Sequence, residues 1–200
     1  MINFIKRILA LLLLVLVMPF ILLFFLLIKL TSPGPFIFKQ KRAGKNKKPF
    51  ILYKIRTMVG NAEDLRFKIY HLNEADGPVF KIHNDPRYTK IGKFLSHTGL
   101  DEILQLINVI KGEMDFVGPR PLPTYEANKL PKKYERRFSV LPGMTSSWLI
   151  NGAHMIPFNR WMELDINYVK NKTLLGDFKI FIKTVIIVIS LILNKLARGK

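Results

Sequence analysis

The run ILALLLLVLVMPFILLFFLLI, residues 8–28, decides the fold class of this chain. It holds 21 residues without a charge, and Pro19 alone falls outside the apolar set. At ~1.5 Å rise per residue such a helix reaches about 31 Å, the thickness of a bilayer's hydrocarbon core. A signal peptide would carry a shorter apolar region followed by a small-residue cleavage site, which Lys29-Leu30-Thr31-Ser32-Pro33 does not supply. Cations flank both ends: Lys6 and Arg7 before the run, then Lys29 and the cluster Lys39, Lys41, Arg42, Lys45, Lys47 and Lys48 after it. The positive-inside tendency therefore draws both ends to the cytoplasmic side. Pro19 sits near the midpoint, where it removes a helix hydrogen bond and crowds the preceding turn. Two geometries fit: a helix that enters, breaks at Pro19 and returns, and a kinked span, because membrane helices tolerate proline.

Outside this run the chain is long enough for one compact domain, at 200 residues in all. Its formal net charge is +18, and the first acid is Glu63, so the 11 cations before it face no carboxylate. That asymmetry implies an anionic partner, nucleic acid or a negatively charged membrane face. A nucleic-acid binder explains neither the apolar run nor the adjacent carboxylates Asp101 and Glu102, and no nucleic-acid partner is expected. The absence of cysteine excludes a disulfide framework, a thiolate nucleophile and Cys-ligated metal. The four histidines, His71, His83, His97 and His154, show no ligand spacing. A second apolar stretch, residues 178–196, is interrupted by Lys179 and Lys183. Its clean run is too short to cross a bilayer, so it reads as a helix at the membrane interface or packed on the domain.

Between these ends, residues 36–40 and 50–58 are predicted to pair as a hairpin, 61–70 to be helical, and Val79–Ile82 to form a strand. Leu100, Ile103, Leu104, Ile107, Ile110 and Met114 form one apolar helical stripe, with Thr98 placed as a capping residue three before Asp101. Residues 158–170 are predicted to form an amphipathic helix. Asp101 and Glu102 head the striped helix, where the dipole is expected to lower both pKa values. An ionised carboxylate can attack phosphorus while its neighbour ligates Mg²⁺, which prefers oxygen ligands and phosphates. Acids at a helix start also stabilise it without any ligand, so the pair alone leaves both readings open. Arg120, between two prolines, is a guanidinium on a stiff loop suited to phosphate. Asp85-Pro86-Arg87 and Tyr53-Lys54-Ile55-Arg56 set charges near strand ends, where solvated surface is the simpler reading.

Three stretches in order resemble the successive signatures of the bacterial sugar transferase family, the small monotopic phosphoglycosyl transferases. They are SPGPFIFKQKRAGKNKKPFILYKIRTM (32–58), GPVFKIHNDPRYTKIGKFL (77–95) and LDEILQLINVIKGEMDFVGPRPL (100–122); ELDINYVKN (163–171) and the N-terminal apolar run extend the likeness over nearly the whole chain. The resemblance implies a small mixed α/β domain, with a re-entrant helix-break-helix segment over 1–31, a catalytic domain over 32–200 on the cytoplasmic face of the inner membrane, and interfacial amphipathic helices. It implies transfer of a sugar 1-phosphate from a UDP-sugar to polyprenyl phosphate, such as undecaprenyl phosphate, starting lipid-linked glycan assembly. In that scheme Asp101 is the nucleophile that forms a covalent phosphosugar intermediate, and Glu102, with Asp101, is associated with Mg²⁺. Arg120, Arg56 and Arg87 are the implied phosphate-binding cations, and Pro19 is the membrane break. Homo-oligomers or glycosyltransferase partners are compatible with it.

Five places depart from the family pattern. Ser96 and Gly99 replace an Arg and a Ser ahead of the dyad, Leu141 replaces a cation before Pro142-Gly143, Ser146 stands where Gly is common, and Ala153-His154 replaces Arg-Asn. The missing cations motivate an alternative: a catalytically impaired membrane-bound homologue that binds the lipid carrier or partner enzymes. His97, Lys93 and His154 are the neighbours expected to compensate if activity is retained.

Overall fold

The computed structural model describes residues 2–198, with the side chains of His154, Leu196 and Arg198 outside that description, and with them the compensation expected of His154. Helix α1 (Ile2–Thr31) is continuous through Pro19. The break expected at Pro19 is therefore absent. Val17 and Ile21, on either side of the proline, both rest against the domain, and this support holds the helix together across the missing hydrogen bond. Ala10, Leu14, Val17, Ile21, Phe24 and Ile28 recur at three- and four-residue steps and form the stripe that packs inward. The opposite face leaves Leu12, Val15, Leu16, Phe20, Leu23 and Leu26 exposed. Both ends of α1 are tied to one domain. Lys6 Nζ donates to both oxygens of buried Asp115 at 2.8 and 2.7 Å. At the other end Arg56 donates to the carbonyls of Ser32 (2.8 Å) and Pro33.

The domain is a mixture of helices and two small sheets. Strands β1 (Ile37–Ala43) and β2 (Pro49–Ile55) form the expected antiparallel hairpin, with Ile37 opposite Ile55 and Ala43 opposite Pro49. Helix α2 (Ala62–Lys68) comes next, and then a loop occupies the place of the strand expected at Val79–Ile82. The Asn73 side chain bonds Ala75 N, Ala75 O, Val79 O and Lys81 N, so the segment satisfies its backbone by closing on itself.

Helix α3 (Lys90–Thr98) is capped by the Thr89 hydroxyl, which accepts from Gly92 N at 2.9 Å. Thr98 is the last residue of α3, and its hydroxyl donates back to Phe94 O. It does not cap the next helical piece, because Gly99 at φ +76° turns the chain between the two. The striped helix is itself divided into a 3-10 segment, Leu100–Gln105, and α4 (Leu106–Lys111), ended by Gly112 at φ +76°. Strand β3 (Asp115–Val117) pairs in parallel with β4 (Gly143–Thr145), and α5 (Thr124–Ala127) and a 3-10 segment, Lys132–Ser139, lie between them. Short α6 (Ser147–Ile150) leads to α7 (Phe158–Lys170), whose bounds match the expected amphipathic helix.

Helix α8 (Leu174–Arg198) begins earlier than expected. It packs Phe181 on Phe116 and leaves Leu175, Phe178, Ile186, Ile189 and Leu193 exposed. Among the described residues α1 is the one helix long and apolar enough to cross a membrane. One apolar cluster joins α1 to β2, α4 and β3 through Ala10, Leu52, Leu106, Val109 and Phe116. A second joins α1 to α3 and the 3-10 segment through Ile21, Ile28, Leu95 and Leu104. A third, around Trp148, Phe158, Trp161 and Met162, packs the C-terminal half.

Candidate active site

Strand β2 carries Leu52 and Lys54 on one face by the two-residue alternation of a strand, so a lysine points inward where the apolar register calls for a hydrophobe. Across from it, Gly99 swings the 3-10 segment so that Asp101 and Glu102 begin it directly above the strand. Lys54 Nζ lies 2.6 Å from Glu102 Oε1 and 3.6 Å from Asp101 Oδ2. Arg120 Nη2 donates to the same Glu102 oxygen at 2.9 Å. The two carboxylates and two cations come from three separate parts of the chain.

Arg120 is staged by close backbone packing. A Cβ on Gly143 would collide with the Gly118 backbone, so both glycines are needed where the β3 and β4 ends meet. The Arg120 carbonyl accepts from Arg137 Nη2 at 2.8 Å, and Arg137 is held in turn by Asp165 Oδ2 at 2.7 Å, both side chains being 1% exposed. The Arg120 guanidinium also lies 5.3 Å from the Trp148 ring centre. Beside it, Arg42 donates to Pro121 O at 2.9 Å and to Gln40 Oε1 at 2.5 Å. Lys81, presented by the loop that Asn73 closes, shares this electrostatic environment with Arg120, Lys54 and Glu102.

Burial dominates the titration of the pair and splits it. It pushes Asp101 up to about 6, against the pull of Lys54 and Arg120, with the neighbouring Glu102 charge adding to the rise. Glu102 is desolvated too, but Arg120 and Lys54 hold it well below the usual carboxylate range. The expected lowering holds for Glu102, through Arg120 and Lys54, and is corrected for Asp101, which is 6% exposed and whose desolvation outweighs the weak field at a short helical start. Burial pushes Lys81 down to about 7, helped by the repulsion of Arg120 and Lys54, and Arg42 down to about 10.

The structure joins Asp101, Glu102 and Arg120 through the ion pairs of Lys54 and Glu102, in which Arg56 and Arg87 take no part, although the Arg87 guanidinium lies 5.5 Å from the ring centre of Phe80, the neighbour of Lys81. Arg56 is buried against the end of α1, with Ser32 and Pro33 as its acceptors. Arg87 is locked to Asp85 by Nε and Nη2 at 2.9 and 2.6 Å, with a further bond to Ala62 O. Both guanidinium groups are buried and already engaged by protein acceptors, which would be left unpaired if they were withdrawn. Sequence reasoning gives Lys54 as solvated surface and Arg42 as one of the cations beside the apolar run, and it does not single out Lys81 or Arg137. An inward register position was the available signal for Lys54, and a single cation within the apolar GPVFKI run that for Lys81; Arg137 gives none, since its partner is 28 residues away. Ser96, where the family pattern has Arg, bonds the Tyr88 hydroxyl at 2.9 Å. Ser146 caps α6.

Two oxygen donors alone do not make a metal cage, and no group of three or more His, Asp or Glu occurs among the described residues. Both cations engage Glu102 through Oε1, so Oε2 lies outside those contacts, and a divalent ion bound by one or two carboxylates and substrate phosphates fits this donor set.

Residues 1–191 match the bacterial sugar transferase family. Relatives include the galactosyl transferase CpsE of Streptococcus agalactiae, 40% identical over 78% of this chain and 35% of its own length. The UDP-glucose:undecaprenyl-phosphate glucose-1-phosphate transferase of Escherichia coli is 36% identical over 89% of this chain and 38% of its own length. The exopolysaccharide production protein ExoY of Sinorhizobium fredii is 33% identical over 88% of this chain and 80% of its own length. The chain thus spans little more than a third of the first two relatives and most of the third. Since the match covers the hairpin bearing Lys54, the Asp101–Glu102 pair, the Arg120 turn and the Asp165 helix as one continuous stretch, the chain belongs to the bacterial sugar transferase family.

Proposed function

We propose that this chain transfers a sugar 1-phosphate from a UDP-sugar to a polyprenyl phosphate, through a covalent intermediate on Asp101, at the cytoplasmic face of a bacterial membrane. The observation that carries this reading is a carboxylate pair, Asp101 buried and Glu102 partly buried, set among Lys54, Arg120, Arg42 and Lys81, beside a helix whose outer face is apolar from Ile8 to Leu27. A carboxylate that titrates near 6 is mostly ionised at neutral pH yet poorly solvated, which favours it as a nucleophile. An Asp101 oxygen attacks the β-phosphorus of the donor, the bond from that phosphorus to the bridging oxygen breaks, and UMP leaves with the electron pair. The lipid phosphate then attacks the same phosphorus and the bond from that phosphorus to the Asp101 oxygen breaks, giving the polyprenyl diphosphosugar and a free carboxylate. Arg120 and Lys54 offset the charge that gathers on the phosphoryl oxygens. Mg²⁺, held by Glu102 with Asp101 and the donor's phosphates, would supply further neutralisation of the diphosphate.

The one-sided membrane topology rests on the two ends of α1. Lys6 and the Ser32-Pro33 turn are both bonded to the same domain, so the helix enters one leaflet and its N-terminus stays on the domain's side. The lack of cations at Ser96, Leu141 and Ala153 favours the rival reading of an impaired scaffold. Against it, the cations already around Glu102 supply positive charge without those positions. Incubating the purified protein with Mg²⁺ and a panel of UDP-sugars, followed by intact-mass measurement, separates the two. A phosphosugar adduct and UMP release, both lost in Asp101→Asn, are expected; no adduct and no UMP with any donor would leave the scaffold standing.

A further inference from the structure

We infer that Lys81 is a phosphate-binding residue of this site, and that the phosphate it receives belongs to the nucleoside diphosphate of the donor. The inference rests on the proposed reaction and adds a contact that the matched motifs do not assign. Three observations carry it. Lys81 is partly buried, yet its ammonium has no hydrogen bond or ion pair among the described residues. A lysine removed from water without an anion is unfavourable, and a ligand's anion is the usual remedy. Its backbone, in contrast, is firmly placed: Lys81 N donates to Asn73 Oδ1 at 2.7 Å and Lys81 O accepts from Glu74 N at 2.8 Å. Three of the four charges that act on it, Arg120, Lys54 and Glu102, are those of the reacting site; the fourth, Glu74, belongs to the same loop and already accepts from His83 N.

The loop's surroundings select the donor over the lipid. The Asp76 carboxylate accepts from Phe158 N at 2.8 and 3.1 Å, and Val79 packs on the cluster around Trp148 and Trp161, to which α1 contributes nothing. Next to Lys81, the Arg66 guanidinium lies 5.1 Å from the Phe80 ring centre and 4.6 Å from that of Tyr125. A flat, cationic and aromatic rim suits a nucleoside better than an isoprenoid chain.

The test uses the full chain in detergent, with UDP as the probe, because UDP is common to all the proposed donors and needs no chemistry. A charge-assisted hydrogen bond of about 1.5–3 kcal/mol corresponds to roughly 10- to 100-fold in affinity. Lys81→Met is expected to weaken UDP binding by that factor, with Lys81→Arg closer to wild type, and to raise the donor KM for UMP release while leaving the polyprenyl phosphate KM unchanged. Lys81→Met is also expected to melt no lower than wild type, since it removes an unpaired buried charge; a lower melting temperature with unchanged UDP affinity would assign Lys81 a structural role and overturn the inference. A rise confined to the acceptor KM would overturn it in favour of the lipid phosphate. Should wild type bind no UDP and release no UMP, the proposed reaction itself fails, an outcome distinct from a wild type that binds UDP and a variant that binds it equally well.

Discussion

Asp101 has its carboxyl raised by burial while Glu102, one residue on, is held low by Lys54 and Arg120, and this split has consequences that can be measured. With a pKa of about 6, only about a tenth of Asp101 is ionised at pH 5. UMP release in the absence of acceptor is therefore expected to rise through pH 6 and to be about tenfold slower at pH 5 than on its plateau. The stability effect has the opposite sense. A carboxyl whose folded pKa lies above its ordinary value of 3.8 favours folding below 3.8 and loses that contribution as pH rises through about 6. Asp101→Asn is accordingly expected to melt above wild type at pH 7.5, with the difference closing near pH 4, as read by thermal unfolding in detergent. A variant that melts lower at both pH values would mean that Asp101 is a structural ion-pair partner. The carboxylate pair and Arg120 were legible in sequence as adjacent acids and a proline-braced guanidinium. Choosing Lys54 over Arg56 needed the register of β2 and the position of α1, because both cations occur in one four-residue stretch.

Helix α1 shows how little a proline decides when packing opposes it. Its inward stripe runs past Pro19 without interruption, so the break, one of the two geometries the sequence allows, does not form where contacts on both sides support the helix. The tie at Lys6 matters more. Lys6→Ala leaves Asp115, which is 7% exposed, with Phe116 N at 2.8 Å and Lys172 at 3.5 Å as its nearest partners. Losing the closer cation is expected to cost about 1–3 kcal/mol, read as a lower melting temperature in detergent. Lys29→Ala, at an exposed site whose ammonium bonds Gly34 O alone among the described residues, is expected to stay within about 0.5 kcal/mol. Equal effects of the two would show that the Lys6 tie does not hold the helix end. The strand expected at Val79–Ile82 failed for a related reason: alternation of side chains does not make a strand when Asn73 already satisfies the backbone.

At the scale of the whole molecule, +18 of net charge and two helices with bare apolar faces are expected to act on the same partner, an anionic membrane surface. A cation near an anionic leaflet contributes about 1 kcal/mol and is screened within ~8 Å, whereas apolar burial does not weaken with salt. The protein is thus expected to remain with membranes in 1 M NaCl and to leave only with detergent. Because the chain has no cysteine, a single introduced thiol reports topology cleanly. In sealed inverted vesicles, Asn3→Cys and Lys132→Cys are both expected to react with an impermeant maleimide; an Asn3→Cys that reacts only after detergent would mean that α1 spans. The sequence by itself determined the long apolar helix, the hairpin, the amphipathic helix 158–170 and the acids and arginine of the candidate site, because each is written in local periodicity or in a short rigid motif. Only the tertiary structure decided that α1 stays continuous and which cations face Asp101 and Glu102. It also decided that Asp101 is raised where the dipole alone would lower it. Register, burial and the partners of a charge are set by residues distant in the chain, and a side chain's ionisation depends on the water it has lost.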